Sequence, residues 1–106
     1  PCLQAWTALD DASPEAGCLA FVPGSHRAGL ATPLGGLVPE ALTRGAPEVL
    51  VPARAGDVVV LHNLVWHRSG ANRTDAPRRG LSVSYLDART RCTRKKHAPR
   101  QFMRLF

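Results

Sequence analysis

One short run of this 106-residue chain places two kinds of chemistry side by side. In Trp66-His67-Arg68-Ser69-Gly70-Ala71-Asn72-Arg73-Thr74-Asp75-Ala76-Pro77-Arg78-Arg79-Gly80, a histidine ends an apolar stretch and a polar loop follows. Arg78 then opens the next strand-like stretch, eleven residues after His67. A neutral imidazole in apolar surroundings can ligate iron, zinc or copper. A guanidinium can hold a carboxylate in a two-bond fork. Together they read as a metal and an organic anion held next to each other. One histidine cannot hold a catalytic metal alone, and His62, five residues earlier, matches no common two-histidine strand spacing. By itself the pattern is more often met by a hydrogen-bonded core or rim histidine and an ordinary surface arginine.

The elements that must position these residues are strands. Arg79 to Leu86 alternates, with Leu81, Val83 and Tyr85 on one face and Gly80, Ser82 and Ser84 on the other. The same period puts Arg78 on the small face, where there is room for a ligand, while Leu81, Val83 and Tyr85 are expected to pack on another layer. Leu3 to Leu9 alternates around Trp6 and ends in the turn cluster Asp10-Asp11-Ala12-Ser13-Pro14. Gly17 to Val22 and Glu48 to Val51 are further short strands. Gly56-Asp57 marks a tight turn into Val58 to His62, the strongest strand signal, and Leu64 to His67 resumes it after a kink at Asn63. Residues 27–47 form a long Gly/Pro-rich connection with one helical turn near Pro39 to Leu42, the kind of loop that is functional or mobile. Five or six short strands with Gly/Pro turns predict an all-β sandwich or barrel.

Composition narrows the class. The length allows one domain or part of one. No apolar run is long enough to cross a membrane. Cys2, Cys18 and Cys92 form no zinc-like or disulfide framework, which fits reduced thiols and a cytoplasmic setting. The net charge of +6 is uneven. Residues 1–87 hold seven Arg/Lys against eight Asp/Glu, and residues 88–106 hold seven against none. The chain therefore reads as a body, 1–87, and a basic tail, 88–106. The tail's aromatics, Phe102 and Phe106, stand at its end and not through its run of charges, so nucleic acid is a poor partner for it.

Two longer segments carry a family resemblance. "QAWTALDDASPEAGCLAFVPGSH" followed by "GDVVVLHNLVWHRSGANRTDAPRRGLSVSYLD" resembles the C-terminal half of the phytanoyl-CoA dioxygenase (PhyH) family. The features occur in order: W-x-A-L-x-D, G-C-L-x-x-x-P-G-S-H, G-D, then H-x-S-x-x-N ending in arginine. The resemblance implies an Fe(II)- and 2-oxoglutarate-dependent dioxygenase on a double-stranded β-helix, a cupin-like jelly roll that is incomplete in this chain. It makes His67 the downstream histidine of a 2-His-1-carboxylate iron site. It makes Arg78 the partner of the distal carboxylate of 2-oxoglutarate, with Ser69 assisting and Arg79 facing away. Trp6 is either a wall of the co-substrate pocket or plain core, and His26 stabilises a turn. Asn72 caps the loop before Arg78.

The resemblance also implies an upstream His-x-Asp motif, and no His-x-Asp or His-x-Glu occurs in the 106 residues. The chain is thus expected to be a fragment with one iron ligand of three, inactive alone. The complete protein is expected to take a small-molecule substrate and O2, and to release succinate and CO2 on hydroxylation. Relatives with Gly or Ala in place of the upstream Asp halogenate instead. A degenerate jelly roll that only binds a small acid is the rival from another class.

Overall fold

The computed structural model describes residues 2–31 and 37–91; the basic tail from Cys92 onward lies outside the described residues. Six strands form: β1 (Cys2–Ala8), β2 (Leu19–Phe21), β3 (Val49–Val51), β4 (Val58–His62), β5 (His67–Ser69) and β6 (Gly80–Leu86). Helical structure is limited to a 3-10 turn at Ser25–Ala28 and α1 (Glu40–Thr43). The strands make two three-stranded antiparallel sheets, ordered β4-β1-β6 and β3-β2-β5. The chain passes from one sheet to the other after β1, β3, β4 and β5, so consecutive strands mostly wind between layers.

Register decides which side chains face inward, because directly paired residues share a face. Trp6 pairs with Val59 and Ser82, and Ala8 with Gly80. Leu19 pairs with Val51 and Ser69, and Phe21 with Val49 and His67. Trp6, Ala8 and Leu61 of the first sheet share a core with Ala12, Cys18, Leu19 and Ala53 on the side of the second. The inward faces therefore carry Gly80, Ser82 and Ser84 on β6, and His67 and Ser69 on β5. The outer face of the first sheet shows Leu3, Val58, Val60, Leu81, Val83 and Tyr85, between 41% and 65% exposed. The alternation expected along β6 is present, but no layer among the described residues covers its Leu81/Val83/Tyr85 side.

One boundary differs from the expectation. The strand does not resume at Leu64 and close on His67; His67 opens β5. The reason is a compact turn. The His62 carbonyl accepts the Val65 N–H at 3.0 Å, and His62 Nδ1 accepts the Leu64 N–H at 3.1 Å. Backbone groups that bond locally in this way cannot join a ladder. Apolar composition suggested a strand there, and a side-chain acceptor two residues away prevented it.

Gly17 shows why the turn before β2 needs glycine. Its φ is +77°, and an added Cβ would fall inside contact distance of the Gly70 carbonyl. Gly24 has a similar φ of +79° but open space around it. Gly17→Ala is therefore expected to cost at least about 2 kcal/mol, combining left-handed strain with displacement of the 70–71 backbone, against about 1 kcal/mol for Gly24→Ala. Urea unfolding of the two variants checks this, and equal midpoints would show that the Gly17–Gly70 approach is not constrained.

Candidate functional site

His67 is positioned from three sides. Trp66, its predecessor, donates its backbone N–H to Ser25 Oγ at 2.8 Å, and Ser25 Oγ donates to the Val22 carbonyl at 2.7 Å. The buried Ser25 thus ties the 3-10 turn to the residue preceding the histidine. The imidazole stacks on Phe21, its cross-strand partner, with ring centroids 5.9 Å apart. Its Nδ1 lies 2.9 Å from the Val65 carbonyl. A carbonyl only accepts, so Nδ1 must carry the proton, and Nε2 is left with its lone pair. A backbone acceptor on one ring nitrogen is the usual way of fixing the tautomer that ligates metal through the other. The side chain is exposed, with Nε2 open to a ligand from outside the chain.

The donor set fits one corner of a metal site. Among the described residues, no three His, Cys, Asp or Glu side chains gather closely enough to hold an ion. His62 is committed through Nδ1 to the Leu64 N–H, and its ring lies against His26 at 5.5 Å between centroids. His26 itself sits in the 3-10 turn, whose side-chain bonding is done by Ser25.

Ser69, two residues past His67, shares its inward face. The intervening Arg68 points outward and lies over Ala20, which is only 1% exposed, to reach both carboxylate oxygens of Glu48. A long arginine stem covering a small residue is normal packing. It ties β5 to the start of β3 across β2.

Arg78 and Arg79 part as the strand period demands. Arg79 gives its Nε and Nη2 to the two oxygens of Asp10, at 2.8 and 2.9 Å. Those bonds hold the Asp10 carboxyl at about 2, so the pair stays ionised through the ordinary pH range. Arg78 is half-buried and makes a single long bond, Nε to the Ala16 carbonyl at 3.4 Å. No carboxylate among the described residues pairs with it, whereas Arg44, Arg68, Arg79 and Arg89 each have one. The 16–18 segment that Arg78 touches also meets the end of β5: the Gly70 N–H donates to the Cys18 carbonyl at 3.4 Å. Arg78 and Ser69 thus flank one backbone segment, on the inward side of their strands.

Trp6 is 8% exposed and belongs to the core. Its indole lies directly under Gly80, where any Cβ would collide with the ring, so its influence on the site runs through the start of β6. The loop between His67 and Arg78 is organised by Asn72. Its Oδ1 accepts the Thr74 N–H at 3.0 Å, and its Nδ2 donates to the Ala76 carbonyl at 2.7 Å. Beside His67 opens a cleft of about 210 Å³ lined by Leu30, Val38, Leu64, Val65 and Trp66. Ser25, Phe21 and Asp10 had no assigned part in the sequence reading. Only Ser25 carried a local signal, through the Pro23-Gly24-Ser25-His26 turn.

Similarity to known proteins shows the family. Residues 1–80 match the family described as phytanoyl-CoA dioxygenase (PhyH). A phytanoyl-CoA dioxygenase domain-containing protein 1 from Danio rerio is 40% identical over 94 residues, covering 78% of this chain and 32% of the relative. Its counterpart from Bos taurus is 34% identical over 97 residues, covering 81% and 33%. The chain thus spans about a third of the length of the curated relatives it matches. Among solved structures, the epimerase SnoN in complex with Fe3+, alpha ketoglutarate and nogalamycin RO is 45% identical, with a TM-score of 0.68 over 82% of this chain and 36% of that one. The alpha ketoglutarate dependent carbocyclase SnoK is 37% identical, with a TM-score of 0.71 over 82% and 38%. With this match over most of its residues, the chain belongs to the phytanoyl-CoA dioxygenase (PhyH) family.

Proposed function

We propose that the protein carrying this chain is an Fe(II)- and 2-oxoglutarate-dependent oxygenase built on a double-stranded β-helix, and that these residues supply the downstream half of its site. The observation that carries this reading is Arg78: a half-buried guanidinium with no carboxylate partner among the described residues, on the inward side with His67 and Ser69. A charge left in that state is completed by an anion from outside. The SnoN complex, with iron and alpha ketoglutarate bound, supports the choice of anion.

His67 holds the metal through Nε2, its tautomer fixed by the Val65 carbonyl and its ring plane by Phe21. Arg78 takes the carboxylate of 2-oxoglutarate farther from the metal, and the Ser69 hydroxyl donates to the same group. The two other iron ligands are assigned to sequence outside this chain. Iron and 2-oxoglutarate, when bound, supply oxidative decarboxylation to succinate and CO2 coupled to oxidation of a substrate by O2. The cleft on the Trp66 side of His67 receives part of that small-molecule substrate, and Leu30, Val38 and Leu64 give it apolar walls. Hydroxylation is the proposed outcome.

The want of a three-donor cluster among the described residues favours one rival, a non-catalytic module that binds a small acid. Succinate release separates the two. Full-length protein supplied with Fe(II), ascorbate, O2 and 2-oxoglutarate is expected to form succinate, and faster when the true substrate is present. Binding of 2-oxoglutarate without any succinate above the metal-free control would support the binding module and end the oxygenase reading.

A further inference from the structure

The two-residue period of the strand it enters turns Arg78 inward, and a carboxylate from the turn after β1 braces the residue beside it. The Arg78 side chain itself makes one 3.4 Å bond, too weak to choose a face. On its other side, Gly80 is held by its pairing with Ala8 and by the Trp6 ring beneath it, but it offers Arg78 no side-chain contact. Arg79, between them, is held through its backbone N–H, its carbonyl and its side-chain fork. Its N–H donates to Asp10 Oδ2 at 2.8 Å, and its side chain forks onto both Asp10 oxygens. Its carbonyl accepts the Leu9 N–H at 3.0 Å. Two consecutive residues after β1 therefore fix residue 79 facing outward, and the two-residue period then sends Arg78 inward.

We propose that Asp10 is a positioning residue for 2-oxoglutarate binding, acting through Arg79 to aim the Arg78 guanidinium. This rests on the role given to Arg78 above. Arg79 is 69% exposed although Asp10 is only 19% exposed, and a pair open to solvent on one side contributes modestly to overall stability. The effect of losing Asp10 should therefore be seen in the placement of Arg78 more than in unfolding. A second pair of the same chemistry serves as comparison: Arg89 forks onto the two Asp87 oxygens at 3.0 and 2.9 Å, beyond the far end of β6.

The test is calorimetric titration of 2-oxoglutarate into full-length protein loaded with Mn(II) in place of iron. Asp10→Ala is expected to weaken 2-oxoglutarate binding about tenfold, since small misplacements of a clamp are costly. Mn(II) affinity should be unchanged, and any fall in melting temperature should be small. Asp10→Asn, which keeps an oxygen for the Arg79 N–H, should fall between Asp10→Ala and the unsubstituted protein. Asp87→Ala should change binding by less than about twofold. Equal losses at Asp10 and Asp87, or a parallel loss of Mn(II) affinity in Asp10→Ala, would overturn the proposal by showing general loosening. Normal binding in Asp10→Ala beside failed binding in Arg78→Ala would overturn it while leaving the Arg78 assignment intact. Normal binding in Arg78→Ala would remove that assignment itself.

Discussion

Arg78→Ala is expected to raise the apparent KM for 2-oxoglutarate by roughly 10- to 150-fold in the full-length protein, the equivalent of one charge-assisted hydrogen bond of about 1.5–3 kcal/mol. A smaller change in kcat at saturating 2-oxoglutarate should accompany it, because a binding clamp acts mainly before the chemical step. Arg79→Ala should raise the same KM far less. The two arginines are adjacent and equally long, so their facing and their partners distinguish them. Arg79 has its carboxylate already in Asp10, and Arg78 has none among the described residues. Initial-rate measurements of succinate formation across 2-oxoglutarate concentrations check the contrast. Equal KM changes would show that the strand does not separate the two in solution. Arg78→Lys should recover only part of the loss, since an ammonium cannot form the planar two-bond fork.

His67→Ala is the second variant with a large expected effect. Removing a direct ligand should cost at least the 10- to 100-fold in metal affinity typical of losing only an outer-shell partner, and turnover should fall below detection. His62→Ala is the informative comparison. His62 is five residues away and bonds the Leu64 N–H, so its loss should loosen the 62–66 turn and weaken metal binding modestly at most. Competition of Mn(II) against a chelating dye measures both variants without turnover. If His62→Ala matched His67→Ala, the metal would belong between His62 and His26, whose rings lie 5.5 Å apart, and the site would have to be redrawn. Circular dichroism on the same samples guards against unfolding as the cause.

These variants depend on different levels of the chain's information. What the sequence determined by itself is local. The two-residue period placed Arg78 with Gly80, Ser82 and Ser84 and put Arg79 with Leu81, because alternation needs no partner strand. Turn chemistry at Gly56-Asp57 and the β-branched run from Val58 likewise depend on neighbours in the chain. The ordered motifs around Trp6, Gly17, Ser25 and His67 pointed to the family, and matching of residues 1–80 shows that membership.

Tertiary structure decided what is long-range. The Asp10–Arg79 clamp joins residues 69 apart, and the Ser25 bond that steadies the approach to His67 joins residues 41 apart. Gly17 meets Gly70 only once β2 and β5 are paired. Composition does not encode such meetings, because each depends on which strands end up as neighbours. The opening of β5 at His67 was hidden for a related reason. Leu64-Val65-Trp66 is apolar enough for a strand, but His62 and Ser25 capture its backbone N–H groups first. The residue types for the chemistry were legible in the sequence, whereas their aim was set by carboxylates, hydroxyls and glycines brought in from distant parts of the chain.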